Sequence, residues 1–256
     1  MGTATYLILS FIAGTFFGSF FYTLALRYAD GQMRENPVKA LFSRSRCRSC
    51  NNTIKPIFLI PIVGYLLLKG KCRNCGVKIS FIYPMMEIMY GLLAVLFTWR
   101  LGFSIYNVNL FILAGITICI TITDIKSLII PDSLVIAFAV FSIYPIVINY
   151  NIMDNILGLI TLFAFFIVIL LIFPGAFGGG DLKLGSAIGL LMGFEMSILV
   201  LEVSLVSGAL IGIIYAFKTG KDLKTKIPFA PFLTLGLVIA MLYGRDILLV
   251  YYRILY

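Results

Sequence analysis

Marked by its polar interruptions, the chain is a series of long apolar runs with short breaks and one wide polar interval. The runs predict about eight helices, near 4–26, 81–99, 104–123, 133–150, 155–173, 182–194, 196–217 and 228–250. Most reach the roughly 20 residues that carry a helix across about 30 Å of hydrocarbon. In lipid such runs must be helical, because no water is available to satisfy backbone groups. The first run is too long for a signal-peptide core and no basic stretch precedes it, so it reads as a retained span. The sixth is the shortest and reads also as a half-helix, which leaves seven spans as the alternative.

Composition agrees: 61% of the 256 residues are hydrophobic and 12% charged, with a mean hydropathy of +1.05. The fold class is an all-α polytopic membrane protein. Eleven of the 20 Lys and Arg residues lie between Arg27 and Lys78, inside the wide polar interval. The positive-inside rule puts that interval in the cytoplasm and the N-terminus outside. Counting spans then sets Asp124, Lys126, Asp181 and Lys183 at the cytoplasmic face. The basic loop of Lys218, Lys221, Lys224 and Lys226 joins them if 182–217 crosses twice. Orientation and contact with anionic lipid account for the net charge of +9, with no nucleic acid needed. Three regions follow: a first transmembrane helix at 1–26, a small cytoplasmic domain at 27–80 and a transmembrane core at 81–256. Within the second, the apolar run Pro56–Leu68 reads as the buried part of that domain or as a piece dipping into the membrane interface.

The small domain carries C-x2-C-x21-C-x2-C, formed by Cys47, Cys50, Cys72 and Cys75. Its halves repeat: "CRSCNNTI" and "CRNCGVKI" share C-R-x-C-x-x-x-I. Each half reads as a tight turn aiming two thiolates at one point, and together they offer four sulfurs to a structural Zn²⁺. Arg48, Arg73 and Lys71 are placed to offset the charge of such a centre. Two disulfides or redox pairs are the alternative, disfavoured by a cytoplasmic setting. Cys119, within the third span, reads as packing.

The chain has no histidine and only 11 acids, which removes Ser-His-Asp, Cys-His and HExxH chemistry. Two acids stand out. Asp124 ends an apolar run, where the helix dipole opposes its charge; a surface ion pair with Lys126 is the plain alternative. Asp181 follows Gly178, Gly179 and Gly180 in "PGAFGGGDLKLG". Capping explains the aspartate but not the three glycines, which permit positive φ and close approach of another backbone. Irregular backbone at membrane depth is tolerated where it lines a cavity or is buried in protein. A carboxylate pair, Asp124 with Asp181, is the hydrolytic chemistry left to such a chain. Asp132 reads as an N-cap of the next helix, and Glu202 as hydrogen-bonded to a neighbouring helix. Glu87, near the start of the second run, reads as an ion-pair partner of an Arg or Lys.

These motifs resemble the type IV prepilin peptidase family, membrane aspartyl proteases of the GxGD kind. The resemblance rests on "GSFFYTLALR", the two CxxC pairs, "ISFIYPMMEIMYGLL", "DIKSLIIPD", "GGGDLKLG" and "IPFAPFLTLG". It implies catalytic Asp124 and Asp181, with Gly178, Gly179, Gly180, Lys183 and Asp132 around the active-site loop. It also implies cleavage of the basic leader of prepilins or pseudopilins after a glycine, at the cytoplasmic face of the bacterial inner membrane. Many members then methylate the new N-terminus with S-adenosylmethionine, an activity associated with the cysteine domain, and the resemblance implies Glu87 as a polar anchor for the cofactor or substrate amine. Tyr22, Phe58-Leu59 and Gly64 stand where the family often has polar residues, all in the N-terminal half. A peptidase without methylation, a proton or ion transporter using Asp124, Asp181 and Glu202, and a zinc-bearing scaffold are the rival readings. Glu35, Asp30 and Asp222 are the acids available to meet a basic leader.

Overall fold

The computed structural model describes residues 3–35, 37–175, 177–219 and 227–255. Among these there is no strand, only isolated bridges pairing Arg46 with Thr53 and Lys71 with Lys78. The helices are α1 (Thr3–Ala29), α2 (Gln32–Glu35), α3 (Pro37–Phe42), α4 (Val63–Leu67), α5 (Ile82–Leu101), α6 (Ile105–Ser127), α7 (Asp132–Asn149), α8 (Ile152–Ile172), α9 (Gly179–Met192), α10 (Phe194–Thr219) and α11 (Ala230–Leu255). A 3-10 turn, Pro56–Leu59, precedes α4.

Seven of the described helices, α1, α5, α6, α7, α8, α10 and α11, are long and apolar enough to cross a membrane. The expected sixth span corresponds to α9, a helix of 14 residues and so only about 21 Å long. Among the described residues there are therefore eight such apolar helices, of which one falls short of a crossing. Gly193, with φ 76, ends it and lets α10 begin at once.

The chain forms two compact units, 1–111 and 112–256, whose boundary falls inside α6. In the first, α1 packs on α5 through small residues, as membrane helices do when packing rather than hydrophobicity joins them. A Cβ on Gly14 would come within 2.6 Å of the Tyr90 carbonyl oxygen, so the two backbones touch there. Phe21 stacks on buried Tyr90 at 5.8 Å, and the Ser10 and Thr98 hydroxyls share a hydrogen bond of 2.7 Å. The run Pro56–Leu68 does not form a buried core: Ile57, Leu59, Ile60, Val63, Leu66 and Leu67 are exposed.

In the second unit, α8 and α9 meet backbone to backbone, since a Cβ on Gly158 would strike the Gly189 carbonyl and one on Gly189 the Gly158 carbonyl. Asn155 reinforces the contact by donating to the Leu190 carbonyl at 2.8 Å. The contact of α10 with α11 is tight at Gly236, opposite Val200 and Ser204. Lys221, Lys224, Lys226 and Asp222 lie outside the described residues, as does the side chain of Glu35.

Candidate functional site

The cysteine cluster is built from two equivalent turns. In the first, Cys47 N–H donates to Asn52 O at 2.9 Å and Asn51 N–H to Cys47 O at 2.9 Å; in the second, Cys72 N–H donates to Val77 O at 2.8 Å and Gly76 N–H to Cys72 O at 2.9 Å. Each turn needs one left-handed residue just past its second cysteine. Asn51 (φ 59) and Gly76 (φ 71) fill those places, two residue types that tolerate the conformation. All four sulfurs lie within 4.8 Å of one another, with Cys47 to Cys75 at 3.9 Å and Cys50 to Cys72 at 4.0 Å. A tetrahedral Zn²⁺ with bonds of about 2.3 Å has an S···S edge of roughly 3.8 Å, so the donor set fits the metal. The geometry also shows four free thiols rather than disulfides.

Their electrostatics are those of a cation site. The N–H groups of Cys50 and Ser49 hold the Cys47 thiol down to about 6, and those of Cys75 and Asn74 lower Cys72. The Val77 N–H favours the Cys75 thiolate, but desolvation and the crowding of the other sulfurs push that thiol up to about 11. Four sulfurs this close resist joint ionisation unless a cation sits among them. The basic neighbours are engaged elsewhere: Arg48 pairs with Asp30 at 2.8 Å, and the Arg73 guanidinium lies 5.5 Å from the centre of the Phe58 ring.

Asp124 and Asp181 are both buried and both belong to the second unit. Asp124 sits one turn before the end of α6, where its own helix dipole is unfavourable. The start of α11 compensates: the Ala230 N–H donates to Asp124 Oδ2 at 3.2 Å. That amide is spare because it opens a helix, and Pro231 next to it has no N–H to offer. Among the described residues no ion pair joins Asp124 to Lys126, so the surface-pair alternative does not hold. Thr234, one turn further along α11, ties the same two helices together through the Thr121 hydroxyl at 2.8 Å and the Thr117 carbonyl at 3.1 Å.

Asp181 lies in the first turn of α9, and its Oδ2 accepts the Gly178 N–H at 2.9 Å. Capping therefore accounts for one oxygen. The other, Oδ1, is buried without a hydrogen-bond partner, a condition that costs about 1–3 kcal/mol. Asp124 lies near enough to Asp181 for its charge to be felt there. The six residues between Asp124 and Pro131 fold back so that Ile130 presses on Gly180, where an added Cβ would come within 2.8 Å of the Ile130 Cβ.

Of the three glycines before Asp181, Gly180 serves close approach, and none serves positive φ. Gly178 has φ −85, none of the three is left-handed, and the left-handed glycine is Gly175 (φ 91). Gly179 faces open space. Asp132 is the first residue of α7 rather than its cap, Pro131 holding the cap position without a side-chain bond. Instead Asp132 accepts from Lys183 at 2.7 Å, both side chains more than half exposed. Phe177 packs edge-on to Phe229 at 4.6 Å, closing the loop against the start of α11.

Two other acids depart from expectation. Glu202 is exposed on α10, and no hydrogen bond among the described residues links it to another helix, so the carboxylates do not form one path. Glu87 is buried, but its partner is no cation: Oε2 accepts the Ile62 N–H at 2.6 Å. Pattern reading missed Ile62, Ile130 and Ala230. For Ala230 a signal existed, a proline at the second position of the next helix; for the two isoleucines there was none.

A bacterial peptidase A24 N-terminal domain matches residues 12–101, and the type IV leader peptidase family model matches residues 111–213. A prepilin leader peptidase/N-methyltransferase of Bacillus subtilis is 34% identical over 249 residues, covering 95% of this chain and 96% of that protein. The chain belongs to the type IV leader peptidase family. A relative of the same name from Legionella pneumophila is 30% identical across 85% of the chain and 79% of its own length. One from Stutzerimonas stutzeri is 27% identical across 94% and 90%. No solved structure matches. Membership makes the chain an integral membrane peptidase. The two family regions meet where the two compact units do, inside or beside the start of α6.

Proposed function

We propose that the chain removes the leader from type IV prepilins or pseudopilins after a glycine, at the cytoplasmic face of the bacterial inner membrane, using Asp124 and Asp181. The observation that carries this reading is the unpartnered, buried Oδ1 of Asp181 beside a second buried carboxyl. Two interacting carboxyls hold one proton between them more readily than none. The ionised member takes a proton from water, whose oxygen attacks the scissile carbonyl carbon. The protonated member donates a hydrogen bond to the carbonyl oxygen, and the departing amine then receives a proton from the pair. The Ala230 N–H and the Gly178 N–H each fix one carboxyl oxygen and leave the other to face substrate. Gly179, open on its Cβ side, leaves room for an extended backbone, and the Lys183–Asp132 pair holds α9 to α7 beside it.

The four cysteines would hold Zn²⁺ with no open position, so it would supply rigidity rather than chemistry. N-methylation of the new N-terminus with S-adenosylmethionine is the second activity the relatives' names suggest. Glu87 does not support it directly, because one of its oxygens is spent on Ile62, and no transfer step is derived. The test is co-expression with a model prepilin and mass spectrometry of the product, comparing wild type with Asp124→Asn and Asp181→Asn. Cleavage after glycine in the wild type alone is expected, and a further methyl mass would mark the second activity. Cleavage surviving in either variant would reject the pair.

A further inference from the structure

The exposed run between the two cysteine turns is tied to α5 by one hydrogen bond. Ile62 N–H donates to Glu87 Oε2 at 2.6 Å. Glu87 is five residues into α5, a helix that begins at Ile82, so Ile62 sits about 8 Å along a membrane-spanning helix from its first residue. Ile62 is also bent sharply. It has φ 64 and ψ −53, and Val63 N–H donates to Pro61 O at 2.6 Å across it, a strained conformation for a β-branched residue. Gly64 lets the two arms close, since a Cβ there would strike the Phe58 carbonyl. The 3-10 turn and α4 therefore form a hairpin whose tip is fixed beside the buried part of α5.

Its outer surface does not suit water. Ile57 is 55% exposed, Leu66 66% and Leu67 56%, while Lys55, Lys69 and Lys71 stand exposed at its ends. Apolar side chains a few ångströms deep with cations at their rim are the pattern of an interfacial anchor, which buries its apolar face about 5–10 Å into the headgroup boundary. We propose that residues 56–67 dip into the cytoplasmic leaflet and that the lysines bind anionic headgroups there. The occupant of this surface is thus anionic lipid, and the four-sulfur centre is held against the membrane by its own connecting segment. Glu87 is the positioning residue, acting through the Ile62 N–H.

The test uses the full-length chain in nanodiscs of phosphatidylcholine with or without phosphatidylglycerol. Leu66→Trp, in a Trp99→Phe background, reports depth through quenching by bromine-labelled lipids. Blue-shifted emission quenched by shallowly brominated lipid is expected, stronger with phosphatidylglycerol and weakened by Lys55→Gln with Lys69→Gln. Emission typical of water, without quenching in either lipid, would overturn the proposal, as would quenching that depends on added prepilin. Zinc content of each variant shows that the cysteine turns are folded. Leader cleavage is a separate readout, so a failed anchor and a failed aspartate pair are distinguishable.

Discussion

Each cysteine turn is closed by backbone bonds within six residues of itself, and the second turn repeats the first almost bond for bond. Asp124, by contrast, takes its amide partner from a residue 106 positions away. The first arrangement can form from a short piece of chain and a metal. The second exists only when α6 and α11 are packed. Chemistry that must be fixed tightly but does no proton transfer is local here, and chemistry that must be buried and poised is assembled from distant helices. The difference predicts where each region is fragile.

The largest effect is expected at the aspartates. Asp124→Asn and Asp181→Asn should each lower leader cleavage by about 10²–10⁴-fold while leaving helix content unchanged by circular dichroism. Next comes the metal: Cys47→Ser or Cys72→Ser should abolish stoichiometric zinc in the purified protein, read by elemental analysis. If zinc remained at full occupancy, the four sulfurs would not act as one site. Zinc competes with protons for the same four sulfurs, so it should stay bound at neutral pH and be released as the pH falls, followed by a zinc-sensitive dye.

Gly180→Ala sharpens the contrast from the other side. Its Cβ would crowd Ile130, costing about 1–3 kcal/mol and displacing Asp181, so cleavage should fall with no change in zinc. Gly179→Ala meets nothing in the protein; a raised KM with unchanged thermal stability would mean that substrate backbone passes there. The smallest effect is expected for Lys183→Met, which removes an exposed ion pair worth about 0–1 kcal/mol.

How legible each region was in sequence follows from the same distinction. The repeated C-R-x-C-x-x-x-I gave away both turns, because local geometry leaves a local signature. The two aspartates were visible as costly acids at the ends of apolar runs. Their partners were not, because nothing at Asp124 encodes an amide at Ala230, and nothing at Glu87 encodes the bend at Ile62. Asp132 resembled a cap by its place after a proline, yet an exposed lysine on another helix claims it. The glycines before Asp181 suggested unusual dihedrals or a close approach, and the second applies at Gly180, against Ile130. The shortness of the sixth helix was visible, because the run 182–194 also read as a half-helix, and α9 has 14 residues.

That short helix has a consequence for how the chain crosses the bilayer. At about 21 Å, α9 cannot fill a layer of about 30 Å, and its contact with α8 through Gly158 and Gly189 keeps it from sliding to make up the difference. The chain therefore reaches Gly193, and the start of α10, before a full crossing is complete.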